Sequence, residues 1–393
     1  METKIRFIDI PKGSFFLFGP RGTGKSLWLR NRFPDSLYID LLSPEVFRAY
    51  VASPERLEAL IEGNPGKKDI IIDEVQKVPE ILDIVHKMIE KDKALRFVLT
   101  GSSPRKFKRV GVDLLGGRAS VKTLHPFMAA ELGHDFKIET ALEQGLLPIV
   151  LGARNKRETL NAYIDLYLRE EVKMEGLVRN IGAFARFLEA ISFSHGAVLS
   201  LNPISRECEV ERKTVEGYLS VLEDLLLAYR LPVFSKKAKR DLVQHSKFYF
   251  FDAGVFQTLR PRGPLDSPQL VGGAALEGLV AQHLRAFQAY LGEQIKLFFW
   301  RTKSGVEVDF IVYGPETFIA IEVKSSRNVH ATDLKGLLSF KEDYPQASLL
   351  LLYRGRERLR IRDVLCLPCE EFLAALDPRK SSPILSEYGK IGF

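Results

Sequence analysis

GPRGTGKS, Gly19 to Ser26, follows the apolar run FFLF (Phe15–Phe18) and runs into SLWLRNRF (Ser26–Phe33). The octet fits G-x-x-x-x-G-K-[ST] in the setting it needs, with a strand before it and a helix after it. Glycines let backbone N–H groups curve around phosphates, and a helix N-terminus adds partial positive charge. Gly19, Pro20, Arg21, Gly22, Thr23, Gly24, Lys25 and Ser26 are therefore expected to cradle a nucleotide. Lys25 would reach the β- and γ-phosphates, and the Ser26 hydroxyl would ligate Mg²⁺.

Working outward, three further apolar runs alternate with amphipathic helical stretches: SLYID (Ser36–Asp40), DIIIDE (Asp69–Glu74) and LRFVLTGS (Leu95–Ser102). That alternation predicts a parallel sheet covered on both faces. Ligands sit at the carboxyl ends of such strands. Asp73 fits the Mg²⁺-side carboxylate, and Glu74 the base that polarises the attacking water. In LTGSS a hydroxyl would orient water near the γ-phosphate. Thr100, Ser102 and Ser103 compete for that role, and Ser102 is taken as the nucleotide-side residue. Arg118, in a Gly-flanked bend, is positioned to act as an arginine finger toward a neighbouring subunit.

Residues 131–180 read as a helical linker, and 181–262 as a helix–turn–helix followed by a hairpin, the winged-helix pattern. From Ala228 to Arg262 there are eight Lys/Arg (Arg230, Lys236, Lys237, Lys239, Arg240, Lys247, Arg260, Arg262) against two acids. A basic wing of that kind can track phosphates, or serve only as a solvated packing module.

Residues 263–376 return to an α/β pattern. In GVEVDFIVYGPETFIAIEVKSS (Gly305–Ser326) two β-patterned runs flank a turn. Folding them about Gly314–Thr317 sets Asp309 opposite Glu322, with Lys324 on the face of Glu322. Asp, then Glu-x-Lys, is the constellation of PD-(D/E)xK nucleases. Two carboxylates would bind Mg²⁺ or Mn²⁺ and the lysine would orient a water. Glu277 would supply a third carboxylate, although Gly278 follows it where a side-chain amide is usual. The same residues can equally form surface ion pairs on an inactive fold. Downstream, Arg354, Arg356, Arg358, Arg360 and Arg362 alternate, which on an extended strand lines one face. The C-x-x-C of Cys366 and Cys369 has no second pair and reads as ordinary thiols. The segment 377–393 reads as a tail.

GPRGTGKS, DEVQKVPEIL, LTGSS and the GGR bend before LHPFMAAEL resemble a prokaryotic family of AAA+-type ATPases. LPIVL, YLREEV, KFYFFDAGV and EVDFIV…IEVKSS continue the likeness over residues 5–375. In that family the ATPase core, here 1–130, is fused to a helical linker, a winged helix and a nuclease-like domain of unassigned function. The resemblance implies ATP as the nucleotide and hydrolysis that depends on a homo-oligomer, up to a hexameric ring. It also implies motif roles for Glu277, Asp309, Glu322 and Lys324.

The whole chain has 393 residues, 46% hydrophobic and 27% charged, which excludes collagen-like, disordered and disulfide-scaffold classes. Lys+Arg 57 against Asp+Glu 50 gives a mild +7 that permits nucleic acid as a partner. Three cysteines, no apolar leader and no membrane-length apolar run point to a cytoplasmic protein away from the membrane. The function expected is an ATP-hydrolysing AAA+-type ATPase acting on duplex or branched DNA, with a linked metal-dependent nuclease-like domain. The alternative is a nucleotide-dependent switch or scaffold whose nuclease-like domain is inactive and binds DNA or protein.

Overall fold

A computed structural model of the chain describes residues 4–102, 115–168, 180–264, 266–292 and 294–380. Ser103, the end of YLREEV and the tail from 381 onward lie outside the described residues. The chain divides into two compact units. One is Ile8–His125 with Asp224–Leu226; the other is Met1–Phe7, Pro126–Glu223 and Leu227–Phe393.

The first unit is built on five strands, β1 (Phe15–Phe18), β2 (Leu37–Asp40), β3 (Asp69–Asp73), β4 (Arg96–Gly101) and β5 (Ser120–Thr123). Their order is β2-β3-β4-β1-β5, and every pairing is parallel. Parallel neighbours cannot be joined by tight hairpins, so helices cross between them. One of these, Ile81–Lys91, buries Ile81, Leu82, Val85, Met88 and Ile89 at helical spacing. The inner strands are apolar on both faces: Ile70, Ile71, Ile72 and Phe15, Phe16, Leu17 are fully buried. Because β4 lies between β1 and β3, three carboxyl-end segments meet: the loop after Phe18, Thr100, and Asp73 with Glu74.

The second unit carries short helices including Ile138–Gln144 and Lys156–Ala162, then the helices Ile181–Ser192, Leu201–Glu207 and Arg212–Asp224. Three strands, β6 (Ala197–Val198), β7 (Ala228–Leu231) and β8 (Lys247–Phe250), form an antiparallel sheet in the order β6-β8-β7. A six-stranded sheet follows, from β9 (Lys296–Arg301), β10 (Glu307–Gly314), β11 (Thr317–Val323), β12 (Ser348–Tyr353), β13 (Leu359–Ile361) and β14 (Val364–Pro368). Its order is β13-β14-β12-β11-β10-β9. The long helix Pro268–Tyr290 runs unbroken through Gly278. A Cβ at position 278 would lie 2.1 Å from Nε2 of His195, so close packing, not helix weakness, explains that glycine.

Two patterns read from the sequence look different in the structure. The basic loop between β7 and β8 is held by backbone hydrogen bonds at two points. Phe234 donates its N–H to the Phe299 carbonyl at 2.7 Å, and Val243 does the same to Arg301 at 3.1 Å. Phe234 is buried in the apolar cluster that contains Trp300, Phe340 and Tyr344. Of the eight basic residues, Arg230 pairs with Glu223, Arg240 with Asp343 and Glu342, Arg260 with Asp266, and Lys247 is buried. Lys236, Lys237 and Lys239 are exposed in the loop, with Lys236 over the Tyr313 ring, and Arg262 is exposed and bonded to Gln257. The arginine stripe is also broken. β12 ends at Tyr353 and the chain turns at Gly355, where a Cβ would lie 2.1 Å from the Tyr353 ring. Arg354 pairs with Glu139 and Arg358 with Glu371, each at 2.8 Å, and Arg362 adopts a φ of +54°.

Candidate functional sites

In the first unit the phosphate-cradle octet forms the loop from β1 into the helix Lys25–Arg32. A Cβ on Gly19 would lie 2.5 Å from the Leu124 carbonyl oxygen, and Gly24 enters the helix at φ +85°. Only glycine meets both demands without strain. The Thr23 hydroxyl donates to the Pro20 carbonyl at 2.8 Å and fixes the loop. Lys25, 6% exposed, donates from Nζ to the carbonyls of Gly19 at 2.6 Å and Pro20 at 3.3 Å. These are neutral acceptors. A phosphate oxygen competes with them as a charged one, and charged hydrogen bonds are about twice as strong.

Asp73 ends β3 and is 1% exposed. The Thr100 hydroxyl donates to Oδ1, and the Tyr38 hydroxyl donates to Oδ2 at 2.5 Å. Burial, and then Asp73, hold the Tyr38 hydroxyl well above its ordinary pKa, while hydrogen bonding with Arg30 and Ser26 works the other way. Tyr38 therefore touches Asp73, the carboxylate expected on the Mg²⁺ side. The donor chemistry fits a hard cation. Asp73 is a buried carboxylate answered by two neutral hydroxyls, those of Tyr38 and Thr100. When bound there, Mg²⁺ would neutralise charge on the β- and γ-phosphates.

Glu74 follows at φ +60°, a left-handed conformation that costs a non-glycine residue about 1–3 kcal/mol. Its N–H donates to the Thr100 hydroxyl at 2.9 Å, and its carboxylate accepts from the Gln76 amide. The turn aims the carboxylate off the strand end, and Gln76 holds it there. Thr100 thus touches both acids. Ser102 is buried at the end of the same strand. Arg118, 39% exposed at its side chain, pairs with Glu90. Arg21 is half-buried.

In the second unit the hairpin pairs Gly314 with Thr317 through to Phe310 with Ile321, a register that carries Asp309 level with Glu322. The Asp309 Oδ2 accepts the Val323 N–H at 2.9 Å, and Lys324 donates to Glu322 Oε1 at 2.6 Å. Glu277 of the long helix joins them, but around a residue absent from the expected set. Lys247, first residue of β8 and 1% exposed, lies 2.9 Å from Glu277 Oε1 and 3.0 Å from Asp309 Oδ1, and also contacts Glu307. Arg301 holds the other oxygen of Glu307 at 2.7 Å, and the Tyr249 hydroxyl donates to Glu277 at 2.6 Å. Burial alone would lower the Lys247 pKa, but Glu277, Asp309 and Glu307 together hold it well above its ordinary value. Burial, then Asp309, pushes Glu277 up to about 7 and Glu322 well above the carboxylate range.

This arrangement corrects the expected metal set of Glu277, Asp309 and Glu322. An ammonium lies between two of its three members. Among the described residues no group of three or more His, Cys, Asp or Glu side chains is arranged to hold a metal ion. Glu322 Oε2 is buried without a partner, but one orphaned oxygen is not a divalent site. The donor set does not fit the metal.

Tyr38, Gln76, Lys247, Tyr249 and Glu307 were missed by sequence reasoning. Glu307 carried a signal, since it stands two before Asp309 and shares its face. Lys247 carried a weaker one, a single charge opening an otherwise apolar strand. The three cysteines are free and buried. Burial raises the thiol pKa to about 11 at Cys366 and about 12 at Cys369, so neither is a reactive thiolate.

A family profile described as AAA domain matches residues 12–133. Two others, each described as a domain of unknown function (DUF8612 and DUF4143), match 135–266 and 272–372. No curated protein matches the chain. Among solved structures it is similar to a replication initiator DnaA bound to AMPPCP and single-stranded DNA. That match has 14% identity and a TM-score of 0.23, and covers 54% of this chain and 82% of that one. The C. elegans PCH-2 structure is similar at 14% identity and TM-score 0.24, with 52% of this chain and 61% of that one covered. Scores this low carry no assignment. The family profile, the parallel sheet and the phosphate-cradle loop together make the first unit an AAA-type P-loop ATPase domain. Among the described residues no helix is long and apolar enough to cross a membrane.

Proposed function

We propose that the protein binds ATP with Mg²⁺ in the P-loop and hydrolyses it, as a homo-oligomer, in work on DNA. The observation that supports this reading is that the phosphate-cradle loop carrying Lys25 leaves β1, and Asp73 with Glu74 leaves β3, at the carboxyl edge of one parallel sheet, with only β4 between them. Lys25 leaves its carbonyl partners for the phosphates. Ser26 and Asp73 would hold the cation, with Tyr38 and Thr100 steadying the carboxylate. Glu74, turned out of the strand by its left-handed backbone, takes the proton of the attacking water once Gln76 releases it. Arg118 is assigned the finger toward a neighbouring subunit, and Ser102 a place beside the nucleotide.

DNA as partner rests on the exposed Lys236, Lys237 and Lys239 tip of a helical unit read as a winged helix. The second reading is a nucleotide-dependent switch or scaffold in which the C-terminal, nuclease-like domain binds without cutting. The ammonium among its acids favours this second reading for that domain. The test is ATP turnover measured with and without duplex and branched DNA, with DNA cleavage scored in the same reactions. Stimulated turnover without cleavage is the expected result. Turnover indifferent to DNA, with no DNA affinity, would remove nucleic acid from the proposal. A switch acting on a protein partner would then remain.

A further inference from the structure

We propose that Lys247 is the resident cation of the C-terminal acidic site, standing where a divalent metal would stand in a working nuclease, so that the native site takes up no metal. The inference deepens the reading of this domain as non-cleaving. It is independent of the ATPase reading.

The charges make the case. Glu277, Glu307, Asp309 and Glu322 converge, and acids crowded into one buried cluster repel one another when ionised. Lys247, Lys324 and Arg301 stand among them and answer most of that charge. The Lys247 ammonium has three protons, and three carboxylates surround it: Glu277, Glu307 and Asp309. Its N–O distances of 2.9 and 3.0 Å to Glu277 and Asp309 are those of charge-assisted hydrogen bonds. A divalent ion bridging Glu277 and Asp309 would need oxygens at about 2.0–2.6 Å from one point, and Nζ holds that point.

Displacing Lys247 is costly. It opens β8, whose residues 247–250 pair with β7, while Val198 pairs with Lys247 itself. An ammonium pulled out of contact would be buried and unpaired. Lys247 arrives from the three-stranded sheet, Glu277 from the long helix, and Asp309 and Glu307 from the six-stranded sheet. One cation therefore fastens three elements of the second unit to each other, a task a metal performs in other folds.

The experiment titrates Mn²⁺ alone into the nucleotide-free full chain carrying Asp73→Asn, which silences the P-loop carboxylate. Bound ion is read by electron paramagnetic resonance and the unfolding midpoint is followed in parallel. With Lys247 in place the expected result is no bound Mn²⁺ and an unmoved midpoint. Lys247→Ala, lowered in midpoint, should take up one Mn²⁺ per chain and recover much of the loss. Adding Glu277→Gln should abolish that uptake. If Lys247→Ala does not fold, Lys247→Met keeps the apolar stem and tests the same gain. The proposal is overturned if the Lys247 protein binds one Mn²⁺ that Asp309→Asn abolishes, or if folded Lys247→Ala binds none. Mn²⁺ uptake by the Lys247 protein without DNA cleavage would sink this inference alone. Cleavage would sink the non-cleaving reading as well.

Discussion

Lys25 and Lys247 are both buried ammonium groups, yet the partners described for them differ in kind. Lys25 donates to backbone carbonyls of its own loop. Lys247 donates to side-chain carboxylates drawn from two other elements. A carbonyl lends a lysine a stable resting place and gives way to a phosphate. Three carboxylates leave nothing for a newcomer to improve. On the proposed reading the first lysine exchanges partners when a nucleotide arrives and the second stays where it is.

The largest effect that sharpens this contrast is on turnover. Lys25→Ala should lower ATP hydrolysis by on the order of 10²–10³-fold, the scale of losing one positioned electrostatic group. Lys324→Ala and Asp309→Asn should leave ATP hydrolysis at the parent level, because neither residue belongs to the unit that holds the P-loop. Steady-state phosphate release checks all three.

Stability should rank the lysines the other way. Lys247→Met removes one partner from a buried ionic cluster and should cost about 3–5 kcal/mol. Lys25→Met in the nucleotide-free protein gives up bonds to neutral acceptors and should cost about 1–2 kcal/mol. Denaturant unfolding measures both, and equal losses would break the comparison.

The sequence made the first site legible and the second only half so, for physical reasons. GPRGTGKS and DIIIDE declare themselves because loop and strand are local, and four apolar runs in series admit few arrangements other than a parallel sheet. The Asp309–Glu322 pairing was also legible, since a tight turn at Pro315-Glu316 fixes the register. Lys247 was not. Its role depends on a sheet that forms about Asp309, 62 residues later, and folds over it. Alternation misled at Arg354–Arg362, where Gly355 turns the chain that a period of two assumes straight. Tyr38 was missed because its hydroxyl meets Asp73 only through the pairing of β2 with β3.

Acid should weaken the second unit through its histidines. The His195 Nδ1 accepts the Phe250 N–H at 3.1 Å, and the His283 Nε2 accepts the Ala129 N–H at 2.9 Å, so each ring is fixed neutral. Burial lowers His195 from 6.5 to about 3 and His283 from 6.5 to about 4. A depressed pKa means that the unfolded chain takes the proton first. The stability is therefore whole above pH 6.5 and is lost as pH falls toward 4, at about 1.4 kcal/mol per pH unit for each ring. His195→Phe keeps the stacking on Phe256 and should remove one ring's share of that slope, read from denaturant unfolding between pH 7 and 4.5.

The smallest effect concerns DNA. Replacing Lys236, Lys237 and Lys239 with alanine should lower the log–log salt slope of duplex binding by about 0.9 per lost phosphate contact. Arg240→Ala should not change it, because Arg240 is engaged by Asp343 and Glu342. A slope that moves only with Arg240 would place the contact elsewhere.

The measurement closest to the centre of this account is nucleotide binding and turnover by Glu74→Gln in the presence of Mg²⁺. Lys25, Ser26 and Asp73 remain in that variant, so ATP should bind with parental affinity while hydrolysis falls to background. Hydrolysis at the parent rate would contradict the assignment of Glu74, and with it the chemistry read from the end of β3.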